Sequence, residues 1–153
     1  MNTETNSWVE VRGVRIGEGI PKICVPIVGK TRNEILAAAE SFESVKKDVV
    51  EWRADWFDGV FDFAQVEAVL KELRRVLGNT PILFTFRTSN EGGEKAIEPA
   101  AYAELNKRAA ATGLIDLLFT ETGKQLTGGA GDMLLKLFSG IQNGDLAGKL
   151  ANI

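Results

Sequence analysis

Histidine is absent from the 153-residue sequence, and cysteine occurs once, at Cys24. Histidine is the commonest general acid or base in enzymes and the commonest metal ligand in proteins. Its absence therefore removes the usual means of proton transfer and of metal binding, and we expect no metal site. A single cysteine cannot form a disulfide within the chain, which favours a reducing compartment.

Long apolar segments are missing as well. No stretch approaches the roughly 20 apolar residues of a membrane-spanning helix, and the polar residues 1–7 do not resemble the apolar core of a signal peptide. A net charge of -3 and a pI near 5.1 provide no general attraction to nucleic acid or anionic lipid. We expect a cytoplasmic protein that binds a small molecule or another protein, but neither nucleic acid nor a membrane.

The chain alternates strand-like and helix-like segments, which predicts an α/β fold with a parallel sheet. Alternation of apolar and polar residues over 8–20 predicts an N-terminal β-hairpin. Helix N-caps at Thr31 and Asp62 and a proline at Pro99 predict three helices, each followed by a strand. We predict a single domain over residues 1–153. The strands are predicted at residues 21–29, 49–55, 81–87 and 114–120.

Charged side chains close two of the predicted strands. Glu51 and Arg53 lie two residues apart and share one face of an extended strand, and Arg87 ends the next strand. Parallel α/β proteins place their sites at the carboxyl ends of the strands. Arg53 and Arg87 together would suit a carboxylate or polyol. The alternatives are a Glu51–Arg53 salt bridge with no further role and a Glu51–Glu91 carboxylate pair for acid/base chemistry.

Other features favour ordinary structural roles. Cys24 lies in an apolar run that we predict to be buried on both faces, so it is expected to pack in the core. The glycine-rich residues 123–131 lack the spacing of a phosphate-binding loop and are interpreted as a flexible connection, with phosphate binding as the alternative. Residues 132–141 form a last amphipathic segment.

Several short motifs, in order, resemble the type I 3-dehydroquinate dehydratases, from about residue 9 to about residue 119. That family consists of shikimate-pathway lyases with a (β/α)8 barrel, which eliminate water from 3-dehydroquinate through a lysine Schiff base without a cofactor. Residues 122–153 match nothing that we recognise. The motifs are IGEG at 16–19, PKI at 21–23, EWRAD at 51–55, LFTFR at 83–87, EGGE at 91–94, LNK at 105–107 and GLID at 113–116.

The resemblance implies that residues 21–121 form four βα units, which is half of a (β/α)8 barrel. It also implies that Glu51, Arg53, Arg87 and Glu91 contact the substrate or orient a catalytic histidine. The family's histidine and Schiff-base lysine lie in the other half of the barrel. The sequence around Lys22 is similar to that around the family's Schiff-base lysine. We therefore consider Lys22 as a candidate for the reactive amine, although it matches a different strand of the family's barrel.

Three functional hypotheses follow. The first is a 3-dehydroquinate dehydratase. The second is a catalytically incomplete half-barrel, truncated or designed, that at most binds a polyhydroxy acid, and the third is a scaffold without a ligand. Half a barrel leaves sheet edges unpaired, so we predict a homo-oligomer that covers them. The alternatives are a flatter doubly wound sheet and coverage of one edge by the amphipathic segment 132–141.

Overall fold

The computed structural model describes residues 8–118 and begins with a small antiparallel hairpin. Strand β1 (Val9–Val11) pairs with strand β2 (Val14–Ile16). Arg12 and Gly13 form the turn with φ angles of 47° and 80°, the left-handed conformation that tight hairpin turns require. The predicted N-terminal hairpin is confirmed.

The main sheet has four parallel strands in sequence order. Parallel neighbours need a crossover connection, and a helix supplies it each time. This is the order of consecutive βα units in a barrel, so the predicted α/β half-barrel is confirmed. The elements are β3 (Cys24–Ile27), α1 (Arg32–Ser41), β4 (Val49–Arg53), α2 (Phe63–Leu77), β5 (Ile82–Thr85), α3 (Pro99–Ala111) and β6 (Leu117–Leu118).

Local sequence signals determine where the helices begin and end. The Thr31 hydroxyl accepts a hydrogen bond from Glu34 N at 3.2 Å, and the Glu34 carboxylate accepts one from Thr31 N at 3.2 Å, which completes a capping box. Asp62 caps α2 by accepting from Ala64 N at 3.1 Å. Gly78, with φ of 58°, ends that helix. Among residues 8–118, no helix is long and apolar enough to cross a bilayer.

The alternation of side chains gives the main sheet two different faces. The outer face packs against the helices and contains Trp52 and Phe84, both fully buried. The hairpin covers the amino-terminal end of the opposite, inner face, where Val11 joins Val49 and Leu117 in a second apolar cluster. The carboxyl-terminal end of the inner face is the polar one. The inner face is lined by Cys24, Pro26, Val49, Glu51, Arg53, Leu83, Thr85 and Leu117.

A buried carboxylate ties the hairpin to the sheet. Asp116, which immediately precedes β6, accepts hydrogen bonds from Arg12 Nε at 2.6 Å and from Arg74 Nη2 at 2.5 Å. It also accepts from the main-chain nitrogen of Ile82 at 2.9 Å. One side chain thus joins the hairpin turn, α2 and β5 at the amino-terminal end of the sheet.

Strand β3 differs from the prediction. Residues 21–29 were expected to be buried on both faces with Cys24 in the core, but Cys24 is exposed and Ile27 is the buried residue of the strand. Both predictions were wrong. Within the part of the chain that the structure describes, β3 pairs only with β4, so nothing described covers its other edge. Its flanking residues Ile23 and Val28 are accordingly 42% and 43% exposed.

Two predicted features lie beyond the described residues. They are the glycine-rich connection at 123–131 and the amphipathic segment at 132–141. The fourth predicted strand, at residues 114–120, is described as far as β6, whose Leu117 and Leu118 pair with β5.

Candidate functional site

Strand β4 places Glu51 and Arg53 on the inner face, as the two-residue spacing predicts. In the parallel register Glu51 lies opposite Leu83 and Arg53 lies opposite Thr85. The Thr85 hydroxyl donates to Glu51 Oε1 at 3.3 Å. This hydrogen bond joins Glu51 of β4 to the neighbouring strand β5. Glu51 lies two residues before the carboxyl end of β4.

Arg53 pairs with Asp55 and not with Glu51. Its Nε donates to Asp55 Oδ1 at 2.8 Å and its Nη2 donates to Asp55 Oδ2 at 2.7 Å, a bidentate contact. The chain turns into a 3-10 helix (Ala54–Trp56) directly after β4, which brings the Asp55 carboxylate within reach of the guanidinium. The alternative of a Glu51–Arg53 salt bridge was therefore wrong.

Asp55 also organises the segment that follows β5. Its carboxylate accepts hydrogen bonds from Arg87 N at 3.3 Å and from Glu94 N at 3.1 Å. Lys95 Nζ donates to the main-chain oxygen of Asp55 at 2.7 Å. The Asp55 side chain is 0% exposed and that of Arg53 is 17% exposed. One buried carboxylate thus connects the end of β4 with the residues after β5.

Residues 87–95 form a closed loop, here called the rim loop. Thr88 and Lys95 form a parallel β-bridge, and Ser89 N donates to Lys95 O at 2.9 Å. Gly93 N donates to Thr88 O at 2.8 Å. A Cβ atom on Gly93 would lie 1.8 Å from Arg87 O, an impossible approach, so this position has space only for glycine. The rim loop is therefore closed by main-chain contacts and closely packed at Gly93.

Arg87 and Glu91 are both part of the rim loop. Arg87 is exposed, and its guanidinium makes no hydrogen bond to the residues that the structure describes. It lies beside Gly92, whose φ is +87° and whose added Cβ would be 3.3 Å from Arg87 Nη2. The Glu91 carboxylate accepts from Thr88 N and from Thr88 Oγ1, both at 3.2 Å. Glu51 and Glu91 therefore bond to different neighbours.

Comparison with known proteins identifies the family of the chain. The sequence profile of type I 3-dehydroquinase matches residues 23–128. The chain belongs to this family. A 3-dehydroquinate dehydratase from Listeria monocytogenes serotype 4b is 53% identical over 113 residues, which are 74% of this chain and 45% of the relative. One from Bacillus licheniformis is 48% identical over 113 residues, 74% of this chain and 44% of that protein.

Solved structures of the family have the same fold. The type I 3-dehydroquinate dehydratase of Clostridium difficile, solved with covalently modified comenic acid, matches 91% of this chain and 52% of its own, with 39% identity and a TM-score of 0.76. The enzyme of Geobacillus kaustophilus matches 89% of this chain and 52% of its own, with 31% identity and a TM-score of 0.77. The chain spans about half the length of the relatives it matches.

Electrostatics keep the arginine–aspartate pair of this type I 3-dehydroquinase family member ionised. Burial by itself raises the pKa of the Asp55 carboxyl. Hydrogen bonds from Arg53 and from the Glu94 and Arg87 amides, together with the charge of Arg53, outweigh burial and leave that pKa below its ordinary value. The hydrogen bond to Asp55 in turn raises the pKa of Arg53. Both side chains are therefore charged at neutral pH.

Lys22 is remote from the other predicted site residues of this family member. Its Nζ donates to the main-chain oxygens of Glu18 and Ile20, both at 3.2 Å. Lys22 precedes β3, at the amino-terminal end of the sheet, whereas Arg53 is the last residue of β4. A role for Lys22 as the reactive amine finds no support in this placement.

A cavity of about 640 Å³ borders the rim loop. Thr88, Ser89 and Asn90 line it together with the aromatic rings of Phe61 and Tyr102. The four pocket residues predicted from the sequence are not among its lining residues. Within residues 8–118, no group of three or more acidic, cysteine or histidine side chains is arranged to hold a metal ion.

Asp55 and Lys95 were not predicted as site residues. Asp55 stands in the same short motif as Arg53, two residues later, which is the one local signal that pointed to it. Lys95 carries no local signal, because its contact with Asp55 spans 40 positions of the sequence. The structure connects Arg53, Arg87 and Glu91 through Asp55 and the rim loop, and it places Glu51 on the same strand.

Proposed function

We propose that the chain takes part in the type I 3-dehydroquinate dehydratase reaction, in which 3-dehydroquinate loses water to give 3-dehydroshikimate. In this proposal the chain is a cytoplasmic lyase component of the shikimate pathway and uses no cofactor. The observation that carries it is the Arg53–Asp55 pair hydrogen-bonded to the rim loop, which presents Arg87 and Glu91. These residues lie at or directly after the carboxyl ends of two neighbouring parallel strands, where α/β enzymes bind substrates.

The substrate is a carboxylic acid that carries several hydroxyl groups. In the proposal, Arg87 binds an anionic or hydroxyl oxygen, because its guanidinium is exposed and unpaired among the described residues. Arg53 contributes its remaining nitrogen, and the carboxylates of Glu51 and Glu91 accept hydrogen bonds from hydroxyls. These contacts supply orientation, which is one of the larger contributions to enzymatic rate.

The second candidate function is binding without turnover. The family reaction needs a neutral amine for the Schiff base and an acid/base group, and the sequence contains no histidine. Lys22 is bound to two carbonyls far from the rim loop along the sheet. These observations are the reason for the second candidate, a catalytically incomplete half-barrel that binds a polyhydroxy acid. A scaffold would retain neither binding nor turnover.

Treating the protein with 3-dehydroquinate and borohydride, followed by mass spectrometry, separates these functions. A lysine adduct together with enone absorbance supports dehydration. If neither the adduct nor the absorbance appears but the protein still binds 3-dehydroquinate, the second candidate is supported. We expect Arg87→Ala to weaken calorimetric binding by roughly tenfold or more, since a charge-assisted hydrogen bond is lost. Arg75→Ala, an exposed arginine on α2, is the matched control. Equal affinities for both variants would contradict the assigned pocket.

The proposal includes self-association. One edge of β3 pairs with no described residue, and the described side chains of Ile20, Ile23 and Val28 are exposed. Both observations support self-association, because an edge strand pairs readily with another chain. We expect light scattering at micromolar concentration to give a mass above that of one 16.6 kDa chain. A monomer under those conditions would contradict this part of the proposal.

A further inference from the structure

We propose that Asp55 is a positioning residue that couples the two arginines of the pocket, since its single carboxylate holds the Arg53 guanidinium and both ends of the rim loop. The inference rests on the proposed function and adds the residue that sets the pocket's geometry. Asp55 acts through its neighbours, because it is fully buried.

The hydrogen bonds of Asp55 are divided evenly between the two partners. Oδ1 accepts from Arg53 Nε at 2.8 Å and from Arg87 N at 3.3 Å. Oδ2 accepts from Arg53 Nη2 at 2.7 Å and from Glu94 N at 3.1 Å. A carboxylate has about four acceptor positions, so all of them are in use. Any shift of the carboxylate must therefore move Arg53 and the rim loop together.

The rim loop transmits this constraint to the side chains that Asp55 does not touch. Its ends are joined by the Thr88–Lys95 bridge, and at Gly93 its backbone passes too close to Arg87 O to admit any side chain. Fixing the amides of Arg87 and Glu94 thus fixes the direction in which the Arg87 side chain leaves the loop. Lys95 strengthens the link through its 2.7 Å bond to Asp55 O.

The substitution Asp55→Asn tests the coupling because it keeps the size of the side chain. It replaces one acceptor oxygen by an amide that cannot accept, and it removes the negative charge opposite Arg53. Asp58→Asn is the matched control: Asp58 lies three residues later, is exposed, and its carboxylate makes no hydrogen bond to a described residue. Lys95→Met is a milder second variant that removes only the bond to Asp55 O.

The first measurement is amide hydrogen exchange without ligand. In Asp55→Asn we expect exchange to accelerate by about tenfold or more at the one amide, of Arg87 or Glu94, that faces the new NH2 group, the factor expected for one lost charge-assisted hydrogen bond. The other amide keeps a neutral acceptor, so its exchange should accelerate by a smaller factor. Exchange in α2 should be unchanged, and Asp58→Asn should match the unsubstituted protein. Lys95→Met should accelerate exchange at the same amides by a smaller factor. Unchanged exchange at Arg87 and Glu94 in both test variants would overturn the proposal.

The second measurement is a double-mutant cycle on 3-dehydroquinate binding. If Asp55 positions Arg87, then Arg87→Ala should cost several-fold less affinity in the Asp55→Asn background than in the unsubstituted protein. Strictly additive losses would overturn the coupling, because a carboxylate that only stabilises the fold would not change the contribution of Arg87. Absence of binding by the unsubstituted protein would contradict the proposed function, while the exchange experiment would still decide the role of Asp55.

Discussion

Replacing Asp55 with alanine is expected to lower the free energy of unfolding by about 3–5 kcal/mol, the usual cost of removing one partner of a buried ion pair. The Arg53 guanidinium, 17% exposed, would lose its counter-charge. The amides of Arg87 and Glu94 would lose their acceptor as well. Urea denaturation of the variant and of the unsubstituted protein measures the difference.

The pH dependence of the unfolding free energy tests whether the ionised Asp55 carboxylate is the source of this stability. Because the pKa of Asp55 is lowered in the folded protein, its contribution is fully present above the ordinary carboxyl pKa of about 3.9. The contribution is lost as the pH falls through the folded pKa, so the stability gap between the two proteins should narrow below about pH 4. Asp58→Ala should lie within about 0.5 kcal/mol of the unsubstituted protein. A difference in unfolding free energy between Asp55→Ala and the unsubstituted protein that is small at pH 7, or constant with pH, would contradict the stabilising role of the ionised Asp55.

Asp116→Ala is the second substitution with a large expected effect, again about 3–5 kcal/mol of unfolding free energy. The variant leaves Arg74, 16% exposed, without its counter-charge and removes the acceptor for Ile82 N. It also removes the ion pair that links Arg12 of the hairpin turn to the sheet. Urea denaturation again supplies the measurement.

Arg12→Ala separates the two contributions of Asp116. Arg12 is 31% exposed, and the variant keeps the Asp116–Arg74 pair, so we expect a loss of only about 1 kcal/mol. Equal losses for Arg12→Ala and Asp116→Ala would indicate that hairpin attachment accounts for the whole effect. That outcome would contradict the importance assigned to the buried contacts with Arg74 and Ile82.

Features that depend on neighbouring residues were predictable. The capping box at Thr31 and Glu34 and the cap at Asp62 involve residues two or three positions apart, and all formed as expected. The shared face of Glu51 and Arg53 follows from the two-residue period of a strand. The resemblance to the family supplied the order of the βα units, which local patterns do not determine.

Features that depend on distant contacts were missed. Asp55 meets Arg87 N and Glu94 N, which are 32 and 39 positions away in the sequence. The Arg53–Asp55 pair exists because the chain enters a 3-10 helix directly after β4, a turn that the charge pattern does not reveal. Cys24 was misplaced because apolar composition predicts burial only where a neighbouring element covers the strand, and no described element covers that edge of β3.

We propose that Arg53, Arg87 and Glu91 form one binding rim at the carboxyl end of the sheet. The most direct test is a titration with 3-dehydroquinate followed by residue-resolved NMR of the backbone amides. We expect the largest chemical-shift changes at residues 51–55 and in the rim loop, and little change in the hairpin at the opposite end of the sheet. Changes confined to the hairpin or to the outer helices, or no changes at millimolar ligand, would contradict the claim.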